Sequence, residues 1–308
     1  MKHNRSIFIL AAALLLSNAA VAQDKIAVKY GNYITKEDAY KHLSVLASDE
    51  YEGRETGKPG AWKAAEYISA QFKSLGLIAP VNGSYLQKVP LVEIAPGNST
   101  LKVGKQSFTN FKDFYTSSSK VDFTKSISEV VFVGYGIEDE KFNELAGLDL
   151  KGKVVLYSTE KEPFVNGKSI ITGTEKASTW NAAKRLRNLQ SKKPALIISF
   201  NPDLESNLKR MASYLQTGRL ILDKPNQPVQ ASVITVSKTV ADAILAKTKS
   251  SITSLTAAIA STGKPASKAV KTGVQASVLS KISNVKADNV MGLVEGTDLK
   301  DEIVVVSG

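Results

Sequence analysis

The sequence has 308 residues, no cysteine and two histidines, and its 40 Lys+Arg against 29 Asp+Glu give a net charge of +11. Without cysteine there is no disulfide framework and no lipid attachment through an N-terminal cysteine, so stability must come from buried apolar surface. The lysines are spread along the chain, with no run of five basic residues and no interleaved aromatics, which speaks for a solvated basic surface and against a nucleic-acid partner.

Residues 1–22 open with Lys2 and Arg5, continue through an apolar core from Ile7 to Leu16, and end on Ala20-Val21-Ala22 before Gln23. This is the pattern of a cleaved signal peptide, so the protein is expected to be exported, periplasmic or secreted, with a mature chain starting at Gln23. Removing the two signal cations leaves 40 − 2 − 29 = +9. The apolar core is shorter than the roughly 20 residues a spanning helix needs, so no stable membrane anchor is expected.

Thr35-Lys36-Glu37-Asp38 reads as a capped helix start, and Ala39, Leu43 and Leu46 recur at helical spacing over 35–48. A polar loop through Gly60 follows, in which Pro59 suits the first turn of a second helix; Ala65, Ile68, Phe72 and Leu75 form its stripe and Gly76 its cap. Short strands are expected at 84–92 and 100–103. From Ser128 the rhythm is αβ, with strands at 129–136, 153–158, 195–200 and 231–237 and a helix at 178–190. Ser237 caps another helix bearing Val240, Ile244 and Leu245, and a weaker one follows at 252–259.

The stretch 261–271, rich in Lys, Ser, Gly and Pro, reads as a connector back to the first domain. Strands are then expected at 274–282, 289–294 and 302–306, with a turn at Gly296-Thr297-Asp298 between the last two. The run Glu302-Ile303-Val304-Val305-Val306 has no polar alternation and reads as a strand buried on both faces. In open α/β sheets ligands bind beyond the carboxyl ends of the strands, so catalytic residues would be expected to follow it, and the chain is expected to be the front part of an enzyme.

Few residues offer chemistry. His3 lies in the signal segment and His42 on the polar side of the first helix, whereas zinc needs three or four ligands; His42 reads as a surface or packing residue. The acidic loop Asp49-Glu50-Tyr51-Glu52 with Arg54 has two readings, cation binding or acid–base work on one side, and salt bridges and solvation on the other. There is no Gly-x-Ser-x-Gly elbow and no histidine placed to activate Ser307. Gly134-Tyr135-Gly136 is too short for a phosphate loop and reads as a turn.

Four segments together resemble the zinc-dependent aminopeptidases of the co-catalytic two-metal type, relatives of glutamate carboxypeptidase and the transferrin receptor. They are Leu46–Gly57 followed by Ala64–Ile68 and Leu75–Leu77; Val130–Ile137 with Leu148–Leu156; Asn289–Asp298; and Asp301–Gly308. The second pair is similar to the protease-associated domain often inserted in these enzymes. The resemblance implies an α/β fold: an incomplete peptidase sheet with flanking helices, interrupted by an inserted protease-associated αβ domain. The implied layout is a signal peptide at 1–22, peptidase domain at 23–124, insert at 125–245 and a return to the peptidase domain at 246–308.

For the complete enzyme the resemblance implies two zinc ions, a shared water made nucleophilic, and the free N-terminus of a peptide as substrate. The family's ligands and general-base glutamate match no position here, so no catalytic, metal or substrate-binding residue is assigned and no zinc is expected on this chain. Two rivals stay open: a non-catalytic peptide- or partner-binding protein using the inserted domain, and an incomplete gene product without function.

Overall fold

A computed structural model describes residues 24–117, 119–225 and 229–308; the expected signal peptide at 1–22 lies outside the described residues. The described chain divides into two compact units, one made of 24–88 with 287–308 and the other of 89–286.

The first unit opens with helix α1 (Lys25–Gly31), where the Asp24 side chain accepts from the Ile26 amide. In α2 (Lys36–Leu46) the expected Thr35 cap is in place, accepting from the Asp38 amide at 3.0 Å. A 3₁₀ segment (Asp49–Arg54) leads to α3 (Pro59–Ser74), which has Pro at its start and ends before Gly76 at φ +72°. A side chain at position 60 would collide with the Tyr51 carbonyl, so Gly60 is what lets the 3₁₀ segment lie against the first turn of α3. Strand β1 (Leu86–Lys88) pairs antiparallel with β15 (Asp288–Val290), placing Lys88 opposite Asp288. The two segments of this unit, distant in sequence, are thus tied side by side.

Glu302–Val306 forms no strand, which corrects the sequence expectation. Ile303, Val304, Val305 and Val306 are 83%, 88%, 81% and 94% exposed. An apolar run becomes a strand only when a neighbour satisfies its N–H and C=O groups, and no described segment pairs with it.

The second unit is built on an eight-stranded sheet. In chain order its strands are β3 (Thr100–Val103), β4 (Gln106–Phe108), β5 (Phe114–Ser117), β6 (Phe123–Phe132), β7 (Val154–Ser158), β10 (Leu196–Phe200), β12 (Ser232–Val236) and β13 (Lys268–Val278). They lie in the order β4-β3-β13-β6-β7-β10-β12-β5, and β6, β7, β10 and β12 run parallel. Every residue of β7, β10 and β12 is buried, which explains why they are mostly apolar and do not alternate with exposed polar residues.

Alternate side chains serve two separate cores, as the period of two requires. Val130, Phe132, Leu156, Ile198 and Ile234 pack with Val240 and Ile244 of α6 (Lys238–Leu245) and Ile252 and Ile259 of α7 (Ile252–Thr262). Val131, Val133, Val155, Tyr157 and Ile197 pack on the other face with Leu189 of α4 (Ala182–Ser191). Helix α5 (Leu204–Gln216) connects β10 towards β12, and a second sheet joins β11 (Arg219–Leu222), β2 (Leu91–Pro96) and β14 (Ser280–Val285). A small hairpin, β8 (Phe164–Val165) with β9 (Lys168–Ser169), completes the unit. Among the described residues no helix is long and apolar enough to cross a membrane.

This unit is wider than the span of 125–245 expected from the sequence. Strands β3 and β13 pair with each other, and β13 also lies along nearly the whole of β6. The expected connector at 261–271 therefore runs into the sheet, because Lys268 already begins β13. A chain of residues 89–286 is expected to unfold in one sharp thermal transition, whereas 125–245 lacks β3, β13 and α7 and is expected to melt broadly or not at all. A sharp near-UV transition from 125–245 alone would contradict this.

Candidate functional site

The carboxyl ends of the parallel strands gather the polar groups of the second unit. Beyond β6 the chain turns through Gly134, Tyr135 and Gly136, with φ +55° at Gly134 and +73° at Gly136. The turn wraps the side-chain carboxyl of Glu144, which is 1% exposed. The Tyr135 amide donates to Glu144 Oε2 at 2.9 Å and Oε1 at 3.0 Å, and the Ile137 amide donates to Oε2 at 3.1 Å. A Cβ on Gly134 would land on Glu144 Oε1, 2.6 Å from its Cδ and 3.0 Å from Ile259 Cδ1. The Gly-Tyr-Gly motif is therefore a turn, as read from sequence, and the amides of Tyr135 and Ile137 hold a carboxyl group of the same chain.

Arg185 of α4, 2% exposed, lies beside it. Its Nη1 donates to the carbonyls of Tyr135 (3.3 Å) and Ser158 (3.2 Å), and its Nη2 to those of Thr159 (3.3 Å) and Glu160 (2.8 Å). One guanidinium thus ties the turn after β6 to the loop after β7. Burial raises the Glu144 carboxyl to about 7, against the opposing pull of the Ile137 and Tyr135 amides and of Arg185. Burial also pushes the Tyr135 phenol up to about 12 and lowers the Arg185 guanidinium.

Above this floor is an open cavity of about 490 Å³, lined by Tyr135, Glu160, Lys161, Glu162, Asn201 and Asp203 among others. It lies beyond the carboxyl ends of β7 and β10, where open α/β sheets place their ligands. Glu162 is committed internally: it accepts from the Ser169 hydroxyl at 2.5 Å, from the Ser178 amide at 2.8 Å and from the Ser178 hydroxyl. Glu160 accepts from the Ser158 hydroxyl at 2.8 Å. The arrangement can bind a small polar group, and the Ser158 and Ser169 hydroxyls that donate to Glu160 and Glu162 are themselves buried.

The residues singled out from sequence lie in the other unit. His42 is half-buried, and its Nδ1 is 2.8 Å from the Tyr67 hydroxyl, so it packs and bonds within the helix pair. In the acidic loop, Glu52, Gly53 and Arg54 all have positive φ, and Arg54 Nη1 donates to the Leu46 carbonyl. Lys63 stands 3.6 Å from Glu50, in line with the salt-bridge reading of this loop. Among the described residues no group of three or more His, Cys, Asp or Glu comes together to hold a metal ion. Two zinc ions therefore find no fitting donor set in the described residues. Sequence reasoning missed Glu144, Arg185 and Glu162; the signal available was the pair of glycines directly after a strand, with an acid close behind.

No protein-family model and no curated protein matches the chain. Among solved structures it is similar to an aminopeptidase from Aneurinibacillus sp. strain AM-1, at 18% identity and TM-score 0.38, over 87% of this chain and 50% of that one. It is also similar to the zinc aminopeptidase BSAP from Bacillus subtilis, at 13% identity and TM-score 0.30, over 85% and 47%. A third is a peptidase M28 precursor from Shewanella amazonensis SB2B, at 13% identity and TM-score 0.31, over 84% and 50%. The chain spans about half the length of these structures. Likeness at this level transfers neither activity nor residue roles.

Proposed function

We propose that the chain represents part of an exported zinc aminopeptidase of the two-metal type, in which residues 89–286 form a protease-associated domain nested inside the peptidase domain. The observation that carries this reading is the nesting. Strands β1 and β15, which flank the second unit in sequence, pair with each other, and the four sequence segments that resemble the family fall in the same order around and within that unit. In this reading the substrate is the free N-terminus of a peptide.

The described residues supply no zinc set, so no hydrolytic step is assigned to them. The full chain is expected to hydrolyse no aminoacyl anilide and to retain no pair of zinc ions; metal analysis giving two zinc ions per chain with chelator-sensitive turnover would overturn that. The family reading itself is tested on the coding sequence beyond codon 308. A His-x-Asp motif followed by paired glutamates supports it, and the lack of both in every frame removes it.

A second reading, a non-catalytic binding protein, is favoured by the cavity at the carboxyl ends of β7 and β10. Isothermal titration of the full chain with short peptides separates the two: binding without turnover, together with no downstream zinc motif, supports the second.

A further inference from the structure

The buried Glu144 carboxyl has no role in the function proposed above, yet its surroundings are built with care. It sits where a glycine is required, accepts the two amides that shape the Gly134–Ile137 turn, and lies next to a buried guanidinium. The turn in turn carries Tyr135 into the wall of the 490 Å³ cavity. We propose that Glu144 is a proton-operated latch on this turn, which keeps it shut when the carboxyl is protonated and lets it open more often as pH rises.

The physical reason is hydration. A carboxylate 1% exposed has lost its water, and the amides of the turn and one shared arginine replace that water only in part. Any opening of the turn that wets Glu144 returns it to an ordinary acid. The closed turn therefore holds the proton more tightly than the open one, and losing the proton shifts the balance toward opening. The raised position of the group, about 7 against 4.5 for an ordinary glutamate, sets the window between those two values.

The groups facing this cluster are few. Tyr135 lies on the turn, Arg185 on α4 and Tyr157 on β7 beside Arg185, and Glu160 and Glu162 on the loop after β7 act on Tyr135 and Arg185 respectively. Helix α7 offers only the Ile259 side chain and the Thr256 carbonyl and has no charged residue. The Ser267 hydroxyl donates to the Glu144 backbone carbonyl and leaves the carboxyl untouched.

Amide hydrogen exchange of Tyr135 and Ile137 in the full chain, read by NMR and corrected for intrinsic rates, tests the latch. The opening equilibrium is expected to rise about 25-fold between pH 5.5 and 8 and to level off above 7. Glu144→Gln is expected to abolish the rise, and Glu160→Gln to leave it in place. The side-chain carboxyl carbon of Glu144 gives an independent reading that needs no variant, with a midpoint expected near neutrality. A flat wild-type profile, a rise that survives Glu144→Gln, a rise lost in Glu160→Gln, or a carboxyl midpoint below pH 5.5 each overturns the proposal.

Discussion

Arg185→Met is expected to destabilise the second unit by about 4 kcal/mol, the largest single-residue effect anticipated in this protein. The guanidinium donates to four main-chain carbonyls from two loops, two of them buried and two half-buried beside the open cavity, and Met leaves all four without that donor. Each buried polar group stripped of its partner costs about 1–3 kcal/mol, and Glu144 loses its neighbouring cation as well. Relaxation and entering water reduce the sum, which is why about 4 is expected rather than twice that. Arg185→Lys should recover less than half, because one ammonium cannot span four acceptors arranged for a planar fork. Urea unfolding of the three proteins is the measurement, and a change under 1 kcal/mol for Arg185→Met would mean that the clamp contributes little.

Gly134→Ala is expected to cost about 3 kcal/mol. A left-handed backbone with a Cβ accounts for about 1–2 kcal/mol, and pushing the Glu144 carboxyl off the Tyr135 and Ile137 amides accounts for the rest. Gly152→Ala separates the two contributions, since Gly152 has φ +69° but nothing within 4 Å of a Cβ. Its cost should be the backbone part alone. Thermal melts that shift equally for both substitutions would show that the Glu144 cradle does not stabilise the fold.

The parallel strands were legible because they are buried on both faces. Val154–Ser158, Leu196–Phe200 and Ser232–Val236 are mostly apolar runs rich in Val and Ile and bounded by turns, and they need no knowledge of partners to be read as strands. Helix starts were legible from local chemistry: Thr35 and Ser237 each accept from the amide three residues on. Helix α5 went unread, although Leu204 and Leu208 bury themselves one turn apart. Its surroundings, Asn201-Pro202-Asp203 and a polar stretch rich in Ser, Asn and Lys, look like loop.

What failed was anything set by distant pairing. Leu101 faces Ala276, and no local pattern joins residues so far apart. The run Ile303–Val306 failed for the converse reason. Its composition states that it prefers a sheet, and composition cannot supply a neighbour. The candidate site was the least legible part. Glu144 pairs with amides seven and nine residues earlier in sequence, and its meaning depends on a burial that only the folded sheet creates.

The pairing of β1 with β15 has a consequence for how the protein is made. Lys88 leaves the ribosome about 200 residues before its partner Asp288, a delay of about 10–40 s at synthesis rates of about 5–20 residues per second. For that interval the nascent chain carries an unfinished first unit ahead of a second unit with everything it needs to close its own sheet. Once folded, that second unit no longer behaves as a long flexible loop, so the entropy of bringing β1 and β15 together is largely spent before β15 emerges. The order of completion thus runs from the middle of the chain outward, and the first unit is the last to be sealed.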